Sequence, residues 1–157
     1  MTDQAVRPTG DGVSVSTKRR LDMDGVDAFG IVFYARYWEW YQHAFEELLR
    51  VLGHPLPELL SNGVGFPAVH AEIDYREMLT LDDVVHCDLW PVEVGNRSLR
   101  MTAVFTNDQG REVARASTVH VVTGRDRSKP SMPAWLRDAV ATATASPSAD
   151  TAHGIQK

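Results

Sequence analysis

Val26-Asp27-Ala28-Phe29-Gly30-Ile31-Val32-Phe33-Tyr34 runs without interruption into the amphipathic segment Ala35–Leu52. Tyr34, Trp38, Tyr41, Phe45, Leu48 and Leu52 recur at alternating steps of four and three, which predicts a helix with one wide apolar face. Arg36, Glu39, Gln42, His43, Glu46 and Arg50 fall off that face. Gly53 followed by His54-Pro55 stops the helix, glycine serving as a left-handed cap and proline forbidding continuation. At about 1.5 Å per residue the segment is roughly 27 Å long, enough to lie across a small sheet. Asp27 places a carboxylate ahead of the helix entrance, and Gly30 lets the backbone turn and come close to a substrate. The first amides of the helix have no intrahelical partners and point outward. A carbonyl oxygen set before them would meet fixed donors as it became an oxyanion.

Outward from this stretch the chain reads as strands. Val13–Asp22 precedes it, and Phe66–Tyr75, Asp83–Val94, Arg97–Thr106 and Arg111–Thr123 follow. Gly95-Asn96 is a two-residue hairpin signal, and Asn107-Asp108-Gln109-Gly110 suits a longer hairpin loop. Pro91 inside a run marks an edge or a bulge. Leu56–Asn62 is a short turn-rich or helical piece, and Ala134–Thr142 a short closing helix. One strand, one long helix and four more strands make an α+β domain, in which the helix is buried only if the antiparallel sheet wraps around it. Residues 1–12 and 142–157 lack periodic apolar positions and are expected to be disordered tails flanking a single domain over residues 13–141.

The chain has 157 residues, 43% of them hydrophobic, enough for one sizeable core. A formal charge of -5 argues against a general nucleic-acid binder. Cys87 is the only cysteine, so a reducing cytoplasmic setting is expected. No apolar run is long enough to span a bilayer. Arg97, Arg100, Arg111, Arg115, Arg125, Arg127 and Lys129 concentrate basic charge in the second half, which suits a small phosphorylated ligand.

Asp27 through Tyr34, with Tyr37 and with Glu46-Glu47-Leu48-Leu49 on the helix, resembles the 4-hydroxybenzoyl-CoA thioesterase family of hotdog-fold acyl-thioesterases. Lys129-Pro130-Ser131-Met132-Pro133 is similar to the basic-Pro-x-x-apolar-Pro sequence that follows the last strand in that family, and the likeness spans about Val15 to Leu136. The resemblance implies a five-stranded antiparallel sheet around the long helix and hydrolysis of an acyl thioester carried by coenzyme A or an acyl carrier protein. It implies Asp27 as the catalytic general base or nucleophile, with amides around Phe33, Tyr34 and Ala35 holding the oxyanion. Arg97 and Ser98 match the positions that meet the nucleotide end of coenzyme A. No cofactor is implied, and the expected assembly is a homodimer or homotetramer with sites at subunit interfaces. Phe29 departs from the small residue many members carry, and narrows the room beside the carboxylate.

Each assignment has a plainer competitor. Asp22 and Asp24 read as turn residues, and only the extended match lifts Asp27 above them. Tyr34 is either a donor to the substrate or a core aromatic with its hydroxyl at the rim. Glu46 stands four residues before Arg50, as an ordinary ion pair would, while Glu47, nearer the apolar face, remains a candidate for substrate binding. Arg125, Arg127 and Lys129 fit a phosphate or the acidic face of a carrier protein equally well. Eight of the thirteen aromatic residues fall between Phe29 and Phe45, where core packing and an aromatic acyl group both ask for them. The six histidines lack metal-ligand spacing, and adjacent His86 and Cys87 point to opposite faces of a strand. No nucleophile elbow or phosphate loop is present. A non-catalytic acyl-binding module and a hotdog dehydratase are the rival functions, the latter weakened because its branch uses an Asp and His pair where Tyr34 stands.

Overall fold

A computed structural model describes residues 13–144. Strand β1 (Val15–Arg20) leads through a 3-10 turn (Met23–Gly25) to helix α1 (Arg36–Val51). Helix α2 (Leu56–Ser61), β2 (Val64–Gly65), β3 (Ala68–Tyr75), β4 (Val84–Val94), β5 (Ser98–Asn107), β6 (Glu112–Val121), β7 (Thr123–Gly124) and α3 (Ala134–Thr144) complete the chain. Five strands form one antiparallel sheet in the order β1-β4-β5-β6-β3, and β2 pairs with β7 apart from it. This is the hotdog arrangement, with α1 lying against the concave face. The expected N-terminal tail, and the C-terminal one from residue 145 onward, lie outside the described residues, while residues 142–144 belong to α3.

Alternation along the strands gives the sheet one apolar face. Val85, Cys87 and Leu89 of β4, Leu99, Met101, Ala103 and Phe105 of β5, and Ala114, Ala116, Thr118 and His120 of β6 all turn inward and are buried. Helix α1 answers with Tyr37, Trp40, Tyr41, Ala44, Phe45, Leu48 and Leu49. That face is rotated from the one the spacing predicts. Tyr34 is 62% exposed and precedes the helix, and Trp38 and Leu52 are half-buried. The small side chain of Ala44, fully buried, lets the helix approach the sheet along the line from Tyr37 to Leu48.

Pro91 sits where β1 has already ended opposite Leu89, and a bulge between Pro91 and Glu93 absorbs the irregularity on the β5 side. The turn after β4 differs by one residue from expectation. Gly95 donates to the Ser98 carbonyl at 2.8 Å, so the central pair is Asn96-Arg97. A Cβ on Gly95 would stand 2.5 Å from Ser98 Oγ, a contact that rotation of the Ser98 side chain would have to relieve. Strand β3 is a sheet edge exposed at every residue except the half-buried Ile73.

Candidate active site

Asp27 opens a tight turn. Its amide donates to Ile31 O at 2.8 Å, and the Gly30 amide returns to Asp27 O at 2.9 Å, with Gly30 in the left-handed region at φ +74°. Glycine takes this conformation without strain, and among residues with a Cβ asparagine and aspartate come nearest to it. A Cβ on Gly30 would meet nothing within 4 Å, so the glycine serves the turn itself and clears no space for a neighbour. Asp27 Oδ1 accepts the Phe29 amide at 2.8 Å, which fixes the carboxylate and leaves Oδ2 without a partner among the described residues. Val26 bridges Val32, Ile31 bridges Thr80, and Val32 donates to Leu79 O at 2.9 Å, which fastens the turn to the loop ahead of β4.

The helix entrance is held from two sides. Phe33 donates to Gly25 O at 3.1 Å, and Arg36 reaches back with Nη2 to Asp24 O at 2.5 Å while Nη1 meets Glu39. Phe33 was expected among the oxyanion donors, but its amide is already committed to Gly25. The amides of Tyr34 and Ala35 have no hydrogen-bond partner among the described residues. Their peptide carbonyls are occupied, Phe33 O by the Arg36 amide at 2.9 Å and Tyr34 O by the Tyr75 hydroxyl at 3.2 Å.

The aromatic window divides in two. Tyr37, Trp40, Tyr41 and Phe45 are core, whereas Phe29 (90% exposed), Phe33 and Tyr34 surround the turn with apolar surface that Tyr75 and Met78 extend. Phe29 stands at the turn's tip, its amide on the Asp27 carboxylate and its side chain exposed in the single subunit. The Tyr34 ring packs on Phe33 with centroids 4.8 Å apart.

Glu47 lies roughly 16 Å farther along the helix axis than Arg36 at about 1.5 Å per residue. It pairs with Arg50, while Glu46 takes Gln42 at 3.0 Å, so the partner expected for Glu46 belongs to its neighbour. The Glu47 side chain borders a cavity of about 630 Å³ between α1 and the β1 edge, lined also by Arg19, Trp40, His43 and Cys87, and Asp27 is not among its walls. Cys87 is buried there, and burial pushes its thiol far up, which makes it inert. Its neighbour His86 faces the other way, onto Asp108 at 2.9 Å.

The basic residues separate into paired and unpaired sets. Arg100 meets Glu93, Arg111 meets Glu77 and Arg115 meets Glu112. Arg97, Arg125, Arg127 and Lys129 have no carboxylate partner among the described residues. Arg97 O accepts the Val122 amide and Asn96 O the Met132 amide, which brings Arg97 and Ser98 against the loop that carries Arg125, Arg127 and Lys129. Arg97 Nε is buried and unpartnered. This basic end lies across the sheet from Asp27, for β4 runs roughly 33 Å between them at about 3.3 Å per residue. Tyr75, the edge Arg36–Asp24 contact and the Leu79–Thr80 anchor carry no signal in the sequence, because each joins residues far apart in the chain.

Residues 21–140 match the model of the thioesterase-like superfamily. A 1,4-dihydroxy-2-naphthoyl-CoA hydrolase of Crocosphaera subtropica is 27% identical over 127 residues, covering 76% of this chain and 93% of that protein. The solved structure of a gentisyl-coenzyme A thioesterase superposes with a TM-score of 0.72 at 29% identity, covering 78% of this chain and 98% of the other. A 4-hydroxybenzoyl-CoA thioesterase complexed with 4-hydroxybenzoyl-CoA shares the fold alone, with a TM-score of 0.74 at 20% identity over 82% of this chain and 99% of that one. The Asp27 turn, the helix entrance behind it and strands β3 to β6 of the sheet fall inside the matched residues, and the chain belongs to the thioesterase-like superfamily.

Proposed function

We propose that this protein hydrolyses aromatic acyl-CoA thioesters, with Asp27 as general base, the Tyr34 and Ala35 amides as oxyanion donors, and Arg97, Ser98, Arg125, Arg127 and Lys129 on the phosphates of coenzyme A. The observation that carries it is the pairing of a fixed carboxylate, one oxygen unengaged, with two unpaired amides at the adjoining helix entrance. Water attacks the carbonyl carbon as Asp27 takes its proton, the amides receive the oxyanion, and the C–S bond breaks to release the thiolate of coenzyme A. The relatives at 27% and 29% identity are a 1,4-dihydroxy-2-naphthoyl-CoA hydrolase and a gentisyl-coenzyme A thioesterase, and the exposed rings around the turn suit a flat acyl group.

Asp27 and the basic end stand too far apart in one subunit for both to flank one reacting thioester closely. Antiparallel pairing of two copies along the exposed β3 edge would bring the basic end of one beside Asp27 of the other, because Tyr75 and Ala68 mark opposite ends of that strand. We therefore place the site at a homodimer interface, in the cytoplasm, where the lone thiol of Cys87 stays reduced.

Thiol release on a panel of aromatic and straight-chain acyl-CoAs and acyl carrier protein thioesters tests the reading, with Asp27→Asn as its control. Turnover of aromatic acyl-CoA, lost by about a hundredfold or more in the variant, is expected. Binding without thiol release would make the protein a carrier module, water loss without thiol release would make it a dehydratase, and a fully active variant would move attention to Glu47.

A further inference from the structure

Among the carbonyls of the helix entrance, Tyr34 O has an unusual partner. A continuing α-helix would send the Trp38 amide to it, but Trp38 donates to Ala35 O at 3.1 Å instead. The Tyr34 carbonyl is thus left out of the helical ladder, and the Tyr75 hydroxyl, 41 residues away at the end of β3, takes it at 3.2 Å. Carbonyl and amide of one trans peptide unit point in opposite directions within one plane, so what fixes Tyr34 O also fixes the direction of the Ala35 N–H. A donor on the carbonyl further polarises the amide at the other end.

We propose that Tyr75 is a positioning residue, whose hydroxyl aims and polarises the Ala35 amide that receives the oxyanion. The inference rests on the reading of Asp27 and the helix entrance given above. Tyr75 is itself held, its ring set edge-on to buried Tyr37 with centroids 5.2 Å apart and Tyr37 edge-on to Phe105 at 5.1 Å. Burial, with neighbouring Tyr34 second, raises its hydroxyl above the ordinary value, so it is a protonated donor throughout the neutral range. The Tyr34 amide needs no such help, since the carbonyl of its unit is fixed within the helix's own first turn by Arg36.

Tyr75→Phe removes the hydroxyl and keeps the ring, which makes it a clean test. On the acyl-CoA of the panel with the highest kcat/KM, kcat should fall by about tenfold, less than the roughly 10²–10³-fold lost when an oxyanion donor is removed outright. KM and the thermal midpoint should stay near wild type. A spectroscopic readout separates aim from mere stability: in Asp27→Asn, which holds substrate unreacted, the thioester carbonyl stretch should shift downward on binding, and adding Tyr75→Phe should recover part of that shift. An inactive Asp27→Asn beside a Tyr75→Phe with wild-type kcat and an unchanged carbonyl stretch would overturn the proposal alone. An active Asp27→Asn would overturn the reading beneath it, and the proposal with it.

Discussion

Tyr41 and His120 are joined across the core by a hydrogen bond of 2.9 Å that ties α1 to β6. His120 Nδ1 lies 2.8 Å from Phe66 O, a carbonyl that only accepts, so Nδ1 carries the proton and Nε2 accepts from Tyr41. The Tyr41 oxygen in turn accepts from Thr118 Oγ1 at 2.5 Å. Removing the middle member by Tyr41→Phe strands two buried polar groups, and should cost about 1–3 kcal/mol of stability, measured by urea unfolding.

The same network sets a pH dependence. Burial lowers the His120 value, only partly opposed by the Phe66 carbonyl, so the unfolded chain binds this proton more readily than the folded one. Stability is therefore full above the unfolded value of about 6.5 and is lost as pH falls from there toward the lowered folded value. Urea midpoints at pH 7.5 and pH 5.5 should differ in the wild type, and His120→Asn should narrow the gap.

Gly30 offers a second test. Because open space surrounds its α-carbon while φ is positive, the penalty of substitution is conformational. Gly30→Asn should retain most activity, whereas Gly30→Val should lose it, since β-branched residues resist the left-handed region. Equal loss in both, with folding intact, would show that bulk at the turn is what matters.

For the basic end, Arg127→Asn combined with Lys129→Ala should raise KM for acyl-CoA by about tenfold with little change in kcat, because contacts to the distal phosphates are equal in ground and transition states. Asparagine suits Arg127, which holds a positive φ of 62°. Unchanged kinetics would remove these residues from the site.

Assembly and chemistry can each be read directly. Val69→Lys, at an edge position 61% exposed in the subunit, should leave the subunit folded but shift light scattering from dimer to monomer and abolish turnover. A single turnover in heavy-oxygen water with enzyme in excess should label the first acid released if Asp27 activates water. An unlabelled first product would make Asp27 the nucleophile.

The helix, the hairpins and the Asp27 turn were legible because their signals are local: apolar periodicity, a Gly-Pro stop, glycines at turns. What escaped was set by tertiary packing. The buried face of the helix runs through Ala44 and leaves Trp38 half-buried, the Gly95–Ser98 hydrogen bond sets the turn one residue later, and Arg50 pairs with Glu47 in place of Glu46. The consumption of the Phe33 amide by Gly25, and of the Tyr34 carbonyl by Tyr75, follows only from how distant segments meet.

Phe29 has a consequence for how such a protein changes over generations. Its ring projects from the turn's tip with nine-tenths of its surface in solvent, touching no core residue, while the bonds that hold Asp27 are made by backbone. Residues at that tip are thus free to vary in size and polarity without taxing the fold. On the proposed function, in which the rings around the turn meet the acyl group, a single codon there would alter acyl preference at little cost to the fold, and a library randomised at Ala28 and Phe29 should yield altered selectivity far more often than it yields unfolded protein.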